Sequence, residues 1–229
     1  MKTIGLIGGM SWESSSEYYR IINEEVKQRL GGLHSAKCVL YSVDFEEIEI
    51  CQRNGEWGKA AQILTDAACS LESAGADFIV ICTNTMHKVA NEIQAGINIP
   101  ILHIADNTAK QVLSHEIKTV GLLGTKYTME QDFYKSRLEA NGIKVLIPKE
   151  IDRVIVNTVI YNELCLGKIV DESRVRYKRI IEDLIEQGAD GIILGCTEIG
   201  LLVKPEDSTV PLFDTTLLHA IGAVDFALE

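Results

Sequence analysis

Apolar residues along this chain collect into short runs separated by longer stretches with helical spacing. Residues 3–7, 38–43, 101–104, 118–124, 143–147 and 210–214 are such runs, and two more lie inside 75–84 and 188–197. Short apolar runs between helical segments read as strands of a parallel sheet covered on both faces. The intervening spacing predicts helices over 13–30 (Tyr18, Ile21, Ile22, Val26, Leu30), 58–74 (Ala60, Ile63, Ala67, Leu71), 129–141, 172–187 and 214–229. Ser14, Ser15 and Ser16 supply capping groups for the first helix, and Asn141-Gly142 closes the third. A short helix follows Asn84 over 85–93. Residues 44–57 are charged and polar and read as a long connection; 150–168 read as an irregular helical excursion ending in Gly167-Lys168.

The pattern occurs twice. Residues 75–84, GADFIVICTN, fall on 188–197, GADGIILGCT, at an offset of 113; Lys2–Gly8 falls on Lys118–Gly124 at 116; Ile99–His103 falls on Val210–Asp214 at 111. Three matches in one order imply two duplicated α/β lobes, each a parallel sheet flanked by helices. The expected division is 1–104 plus 212–229 for the first lobe and 105–211 for the second. In such sheets ligands sit beyond the carboxyl ends of strands. The duplication places Thr83 on Cys196, and the expectation is one cleft with these two groups on its sides.

Composition narrows the class. Apolar residues at 46% allow a full core, and a net charge of −11 leaves no basic stripe for nucleic acid. No apolar run approaches membrane-spanning length. The opening MKTIGLIGG reads as a first strand and not as a signal peptide, which points to the cytoplasm. Six cysteines without paired spacing then read as free thiols, mostly buried hydrophobes.

A thiol and a hydroxyl on opposite sides of a carbon suit proton transfer at a stereocentre. Cys196 serves as a base only as thiolate, and the backbone N–H groups after it are expected to lower its pKa from about 8.5. Thr83 is the poorer base and suits a donor or a relay to water. Backbone donors at Gly8 to Ser11 and at Asn84 and Thr85, with the Thr125 hydroxyl, would cradle an α-carboxylate. Gly8 and Gly9 suggest close backbone approach to a ligand. Arg53 and Lys168 would hold a second carboxylate, one as a fork and one as a point charge. Each alone is more often a solvated loop cation than a ligand. Glu198 also reads as a capping residue. His87, near Cys82, lacks the further ligands that a metal needs.

These residues carry a family resemblance. GLIGGMSWES at 5–14, RNGEW at 53–57, CTNTMH at 82–87, LLGT at 122–125, ELCLGK at 163–168 and GCTE at 195–198 resemble the cofactor-independent aspartate/glutamate racemases, in the aspartate racemase branch. The resemblance implies two lobes with a site at their interface, pyridoxal-free two-sided proton transfer without cofactor or metal, and a homodimer. It implies Thr83 and Cys196 as the catalytic pair, with Thr83 where the family normally carries the first cysteine. Met10, Ser11, Gln52, Asn84, Thr85, Thr125, Thr197 and Glu198 would bind the substrate, with Arg53 and Lys168 on its distal carboxylate. One thiol instead of two implies a kinetic bias toward the L-enantiomer of aspartate or glutamate. Decarboxylation or isomerisation of a small dicarboxylate, or weakly catalytic binding of acidic metabolites, are the other readings.

Overall fold

The computed structural model describes residues 1–229, which form two compact units, 1–103 with 219–229 and 104–218. The first unit contains β1 (Ile4–Gly8), α1 (Trp12–Leu30), β2 (Cys38–Ser42), α2 (Phe45–Asn54), α3 (Trp57–Ser73), β3 (Phe78–Ile81), a 3-10 turn (Thr85–Val89), α4 (Ala90–Ala95) and β4 (Ile101–Leu102). The second contains α5 (Ile104–Ser114), β5 (Thr119–Gly124), α6 (Lys126–Glu130), α7 (Asp132–Ala140), β6 (Lys144–Leu146), α8 (Glu150–Asn162), a 3-10 turn (Leu164–Leu166), α9 (Asp171–Glu186), β7 (Gly191–Gly195), α10 (Ile199–Leu202) and β8 (Leu212–Asp214). The last helix, α11 (Thr215–Leu228), begins in the second unit and continues in the first.

Both sheets are parallel and share one strand order, β2-β1-β3-β4 and β6-β5-β7-β8. The repeated GAD triplet acts identically in each. Gly75 and Gly188 take positive φ, 90° and 99°, which glycine adopts without a Cβ clash and which ends the preceding helix. The Asp77 N–H then donates to Thr3 O at 2.8 Å, and the Asp190 N–H to Thr119 O at 2.9 Å. The repeated prolines match as well, with Ile79 N–H on Pro100 O and Ile192 N–H on Pro211 O.

Strand alternation divides each unit's core between two faces. In the first, Ile7, Ile79 and Ile81 pack with α2, α3 and α4, while Ile4, Leu6, Phe78, Val80 and Cys82 pack with α1 and α11. In the second, Leu123, Ile192, Leu194 and Cys196 face α8, α9 and α10, while Val120, Leu122 and Ile193 face α5 and α7.

Three expectations change. Residues 45–54 are helical, because Asp44 caps the start by accepting from Glu46 N–H and Gly55 closes the end in the left-handed conformation; Ile48, Cys51 and Gln52 are the buried face. The helix expected over 129–141 is two, α6 and α7, with extended backbone at Gln131 between them. Residues 212–214, grouped above with the first lobe, form β8 of the second sheet; register with β7 decides this, as the offset-111 echo indicates.

Candidate active site

In the first unit the polar end of the sheet is built on β1 and β3. Ser11 caps α1, accepting from Ser14 N–H, so the expected cap falls just ahead of the serine triplet. Ser15 Oγ accepts from Gly9 N–H and donates to Ser11 O, both at 2.8 Å, which fixes the turn. The glycines serve the chain's own packing. A Cβ on Gly8 would lie 2.6 Å from Ser15 Oγ, and Gly9, at φ 94°, packs against the Val43 backbone. The packing of the chain against itself therefore requires glycine at both positions. Ser14 Oγ reaches Cys82 O at 3.4 Å and joins α1 to the end of β3.

Thr83 follows at once and is half-buried. Its N–H donates to Ile81 O at 2.9 Å, and its carbonyl meets His87 Nδ1 at 2.8 Å. Asn84 and Thr85 are buried beside it. Cys82 lies on the opposite side of the strand, fully buried, where burial pushes its thiol pKa up. Met10 is a core side chain, and buried Gln52 places Nε2 3.1 Å from Met86 Sδ. Arg53 ends α2 with its side chain 63% exposed and 3.4 Å from Glu49.

The second unit presents Cys196 at the carboxyl end of β7. Its Sγ donates to Glu198 Oε2 at 2.9 Å, and Thr197 Oγ1 donates to the same oxygen at 2.9 Å. Glu198 is buried and makes no side-chain cap to α10, so the capping expectation is corrected: its carboxylate gathers the thiol and the hydroxyl. The thiol pKa is pushed well above its ordinary value by burial first and then by the Glu198 charge, against an opposing Glu198 backbone N–H. The sequence expectation had the opposite sign. Backbone donors alone suggested it; burial of the thiol, with the carboxylate two residues on, outweighs them.

Thr216 Oγ1 donates to Thr197 O and Thr215 Oγ1 to Leu194 O, which ties this loop to α11. Thr125 caps α6, accepting from Thr128 N–H, and is buried. Lys168 is exposed after the left-handed turn at Gly167. Glu163, in the same turn, has a buried Oε2 that no protein donor reaches, and it acts with Cys196, Cys165 and Glu198 to raise the Tyr177 pKa, after burial itself.

A model of the Asp/Glu/Hydantoin racemases matches residues 7–221. The chain belongs to this family. It is similar to the broad specificity amino-acid racemase RacX of Bacillus subtilis, 26% identical over 229 aligned residues and 96% of each protein. Among solved structures it resembles a candidate Asp/Glu racemase of Yersinia pestis, 59% identical with a TM-score of 0.93, and an aspartate racemase homologue of Pyrococcus horikoshii, 34% identical with a TM-score of 0.86. Each covers 100% of both chains.

Within this racemase-family chain the sequence-derived residues form local groups. Ser11, Thr83, Asn84 and Thr85 belong to the first sheet's polar end, while Thr125, Cys196, Thr197 and Glu198 belong to the second's. Sequence reasoning missed the Cys196–Glu198 contact, the Glu163 orphan oxygen and the His87 bond to Thr83. The acids inside GCTE and ELCLGK were the available signal for the first two.

Proposed function

We propose that this protein is a pyridoxal-independent racemase that interconverts L- and D-aspartate, glutamate or both. The observation that carries the reading is the Cys196 thiol hydrogen-bonded to a buried Glu198 carboxylate at a strand end of a chain from this family. A thiol with a raised pKa is a poor base alone. A carboxylate already accepting its proton solves that problem.

In this mechanism Cys196 Sγ removes the α-hydrogen of the L-enantiomer as the Sγ proton moves to Glu198. The C–H electron pair is left on the α-carbon and delocalises into the α-carboxylate. Thr83 relays a proton from water to the opposite face, its hydroxyl taking one proton as it passes on another, and the hydroxide left behind takes the proton held by Glu198, which returns the site to its starting state. Backbone donors at Met10–Ser11 and at Asn84 and Thr85, with Thr125 and Thr197, stabilise the developing charge on the α-carboxylate. Arg53 and Lys168 bind the distal carboxylate, and Gln52 supports that side. No cofactor takes part, and the protein acts as a cytoplasmic homodimer.

One thiol and one hydroxyl make the forward and reverse half-reactions unequal. Equilibrium between enantiomers stays near unity, so the bias resides in the kinetic constants. The test is deuterium wash-in from each pure enantiomer across a panel of amino acids, with Cys196→Ser alongside. The expected result is fast exchange from L-aspartate or L-glutamate, slow exchange from the D forms, and loss of both in the variant. Equal exchange from both enantiomers rejects the asymmetry, and an active Cys196→Ser enzyme rejects the mechanism.

A further inference from the structure

His87, the last residue of the CTNTMH stretch, has no part in the proposed chemistry. No group of three or more His, Cys, Asp or Glu side chains is arranged to hold a metal ion. His87 is instead one of three buried imidazoles, with ring centroids 4.4 Å from His103 and 5.7 Å from His219.

The hydrogen bonds assign the protons. A carbonyl only accepts, so the 2.8 Å contact to Thr83 O places a hydrogen on His87 Nδ1. His219 Nε2 likewise donates to Leu102 O at 2.8 Å. Burial keeps His219 neutral, so its Nδ1 is bare and accepts from Tyr18 Oη at 2.9 Å. The ring that His87 packs against is therefore pinned at both nitrogens, by α1 and by the end of β4. His87 in turn pins Thr83, whose N–H is already held by Ile81 O. With both of those backbone groups fixed, the direction of the Thr83 Cα–Cβ bond is fixed too.

We infer that His87 is a positioning residue for Thr83: its Nδ1–H holds the Thr83 carbonyl so that the hydroxyl stays aimed at the reacting carbon. The inference rests on the racemase reading and names what organises its weaker side. Misplacing a reacting group by about 1 Å costs up to about a hundredfold.

The test compares His87→Leu, which removes the donor, with His87→Asn, whose amide N–H occupies the Nδ1 position. Starting from the L-enantiomer in deuterated water, two products are counted: deuterated L-substrate, formed on the Cys196 side, and D-product, which needs the Thr83 side. In His87→Leu the D-product rate falls about tenfold or more while exchange into recovered L-substrate persists. His87→Asn restores the parental ratio. General loosening of the fold would lower both rates together, so an unchanged ratio in His87→Leu overturns the inference. A nitrogen-15 imidazole spectrum of the parent protein tests it separately from turnover. A slowly exchanging Nδ1–H for His87 is expected, and an Nε2–H tautomer overturns the inference whatever the activity. A parent protein that exchanges neither enantiomer refutes the racemase reading, and the spectrum still decides whether His87 holds Thr83.

Discussion

Replacing Glu198 by Gln gives the sharpest test of how a buried thiol becomes a base here. The change keeps the side-chain shape and removes one charge. In the parent, Glu198 Oε2 accepts Sγ–H at 2.9 Å and its charge opposes thiolate formation. An amide cannot take the proton, so the coupled transfer that assists Cys196 is lost. General-base assistance contributes about 10²–10⁴ in rate, or about 3–5 kcal/mol of barrier. Turnover of the L-enantiomer near neutrality should fall by a factor in that range. The same change has a second, opposite effect: without the neighbouring negative charge, the thiolate forms more readily. Alkylation of Cys196 by iodoacetamide, followed with pH by peptide mass spectrometry to separate it from the other five cysteines, should show a lower midpoint in Glu198→Gln than in the parent. Slower turnover together with an easier thiolate is the signature of a carboxylate acting as proton acceptor. A variant with parental turnover, or a midpoint that does not move down, refutes the reasoning.

Further predictions concern the frame that holds the site. Gly200→Ala would drive a Cβ into Asp214 Oδ2, the carboxylate that caps α11 through Thr216 N–H and Leu217 N–H. A loss of about 1–3 kcal/mol in urea unfolding is expected, and none would show that the loop gives way. Ser15→Ala strands the buried Gly9 N–H and should cost about 1–3 kcal/mol by the same measurement. His219 has its pKa lowered by burial from the ordinary 6.5 to about 4. The unfolded chain therefore binds its proton first as pH falls. The contribution is complete above pH 6.5 and is lost as pH drops to about 4, a change of about 3 kcal/mol. Unfolding of the parent and of His219→Gln at pH 7 and pH 4 should show their stability difference shrinking in acid; a difference independent of pH refutes the assignment.

The strand pattern was legible because β1, β3, β5 and β7 are buried on both faces and read as unbroken apolar runs. The second sheet's last strand was also legible from the Pro211 echo of Pro100, once the repeat is followed to its end. The α2 helix was hidden because only Ile48, Cys51 and Gln52 are buried among charged neighbours; its caps, Asp44 and Gly55, were the better signal. Thr83 and Cys196 could be matched by alignment alone. The sign of the Cys196 pKa could not, since it is set first by how deeply the thiol is buried and then by where the Glu198 side chain turns. Nor could the role of Gly9, whose neighbour Val43 comes from a different part of the chain.

The first unit draws its final layer from residues that follow the second unit in the chain. Ala220, Ala223, Val224 and Ala227 cover Ile4, Leu6, Phe78 and Val80, and Lys2 N–H donates to Ala227 O. On the ribosome that sheet emerges early and waits for 115 intervening residues, 104–218. At typical elongation rates the wait is on the order of ten seconds. Throughout it the nascent chain carries an apolar face that its own later residues have yet to cover. Removing Ala220, Ala223, Val224 and Ala227 would leave that face without its cover.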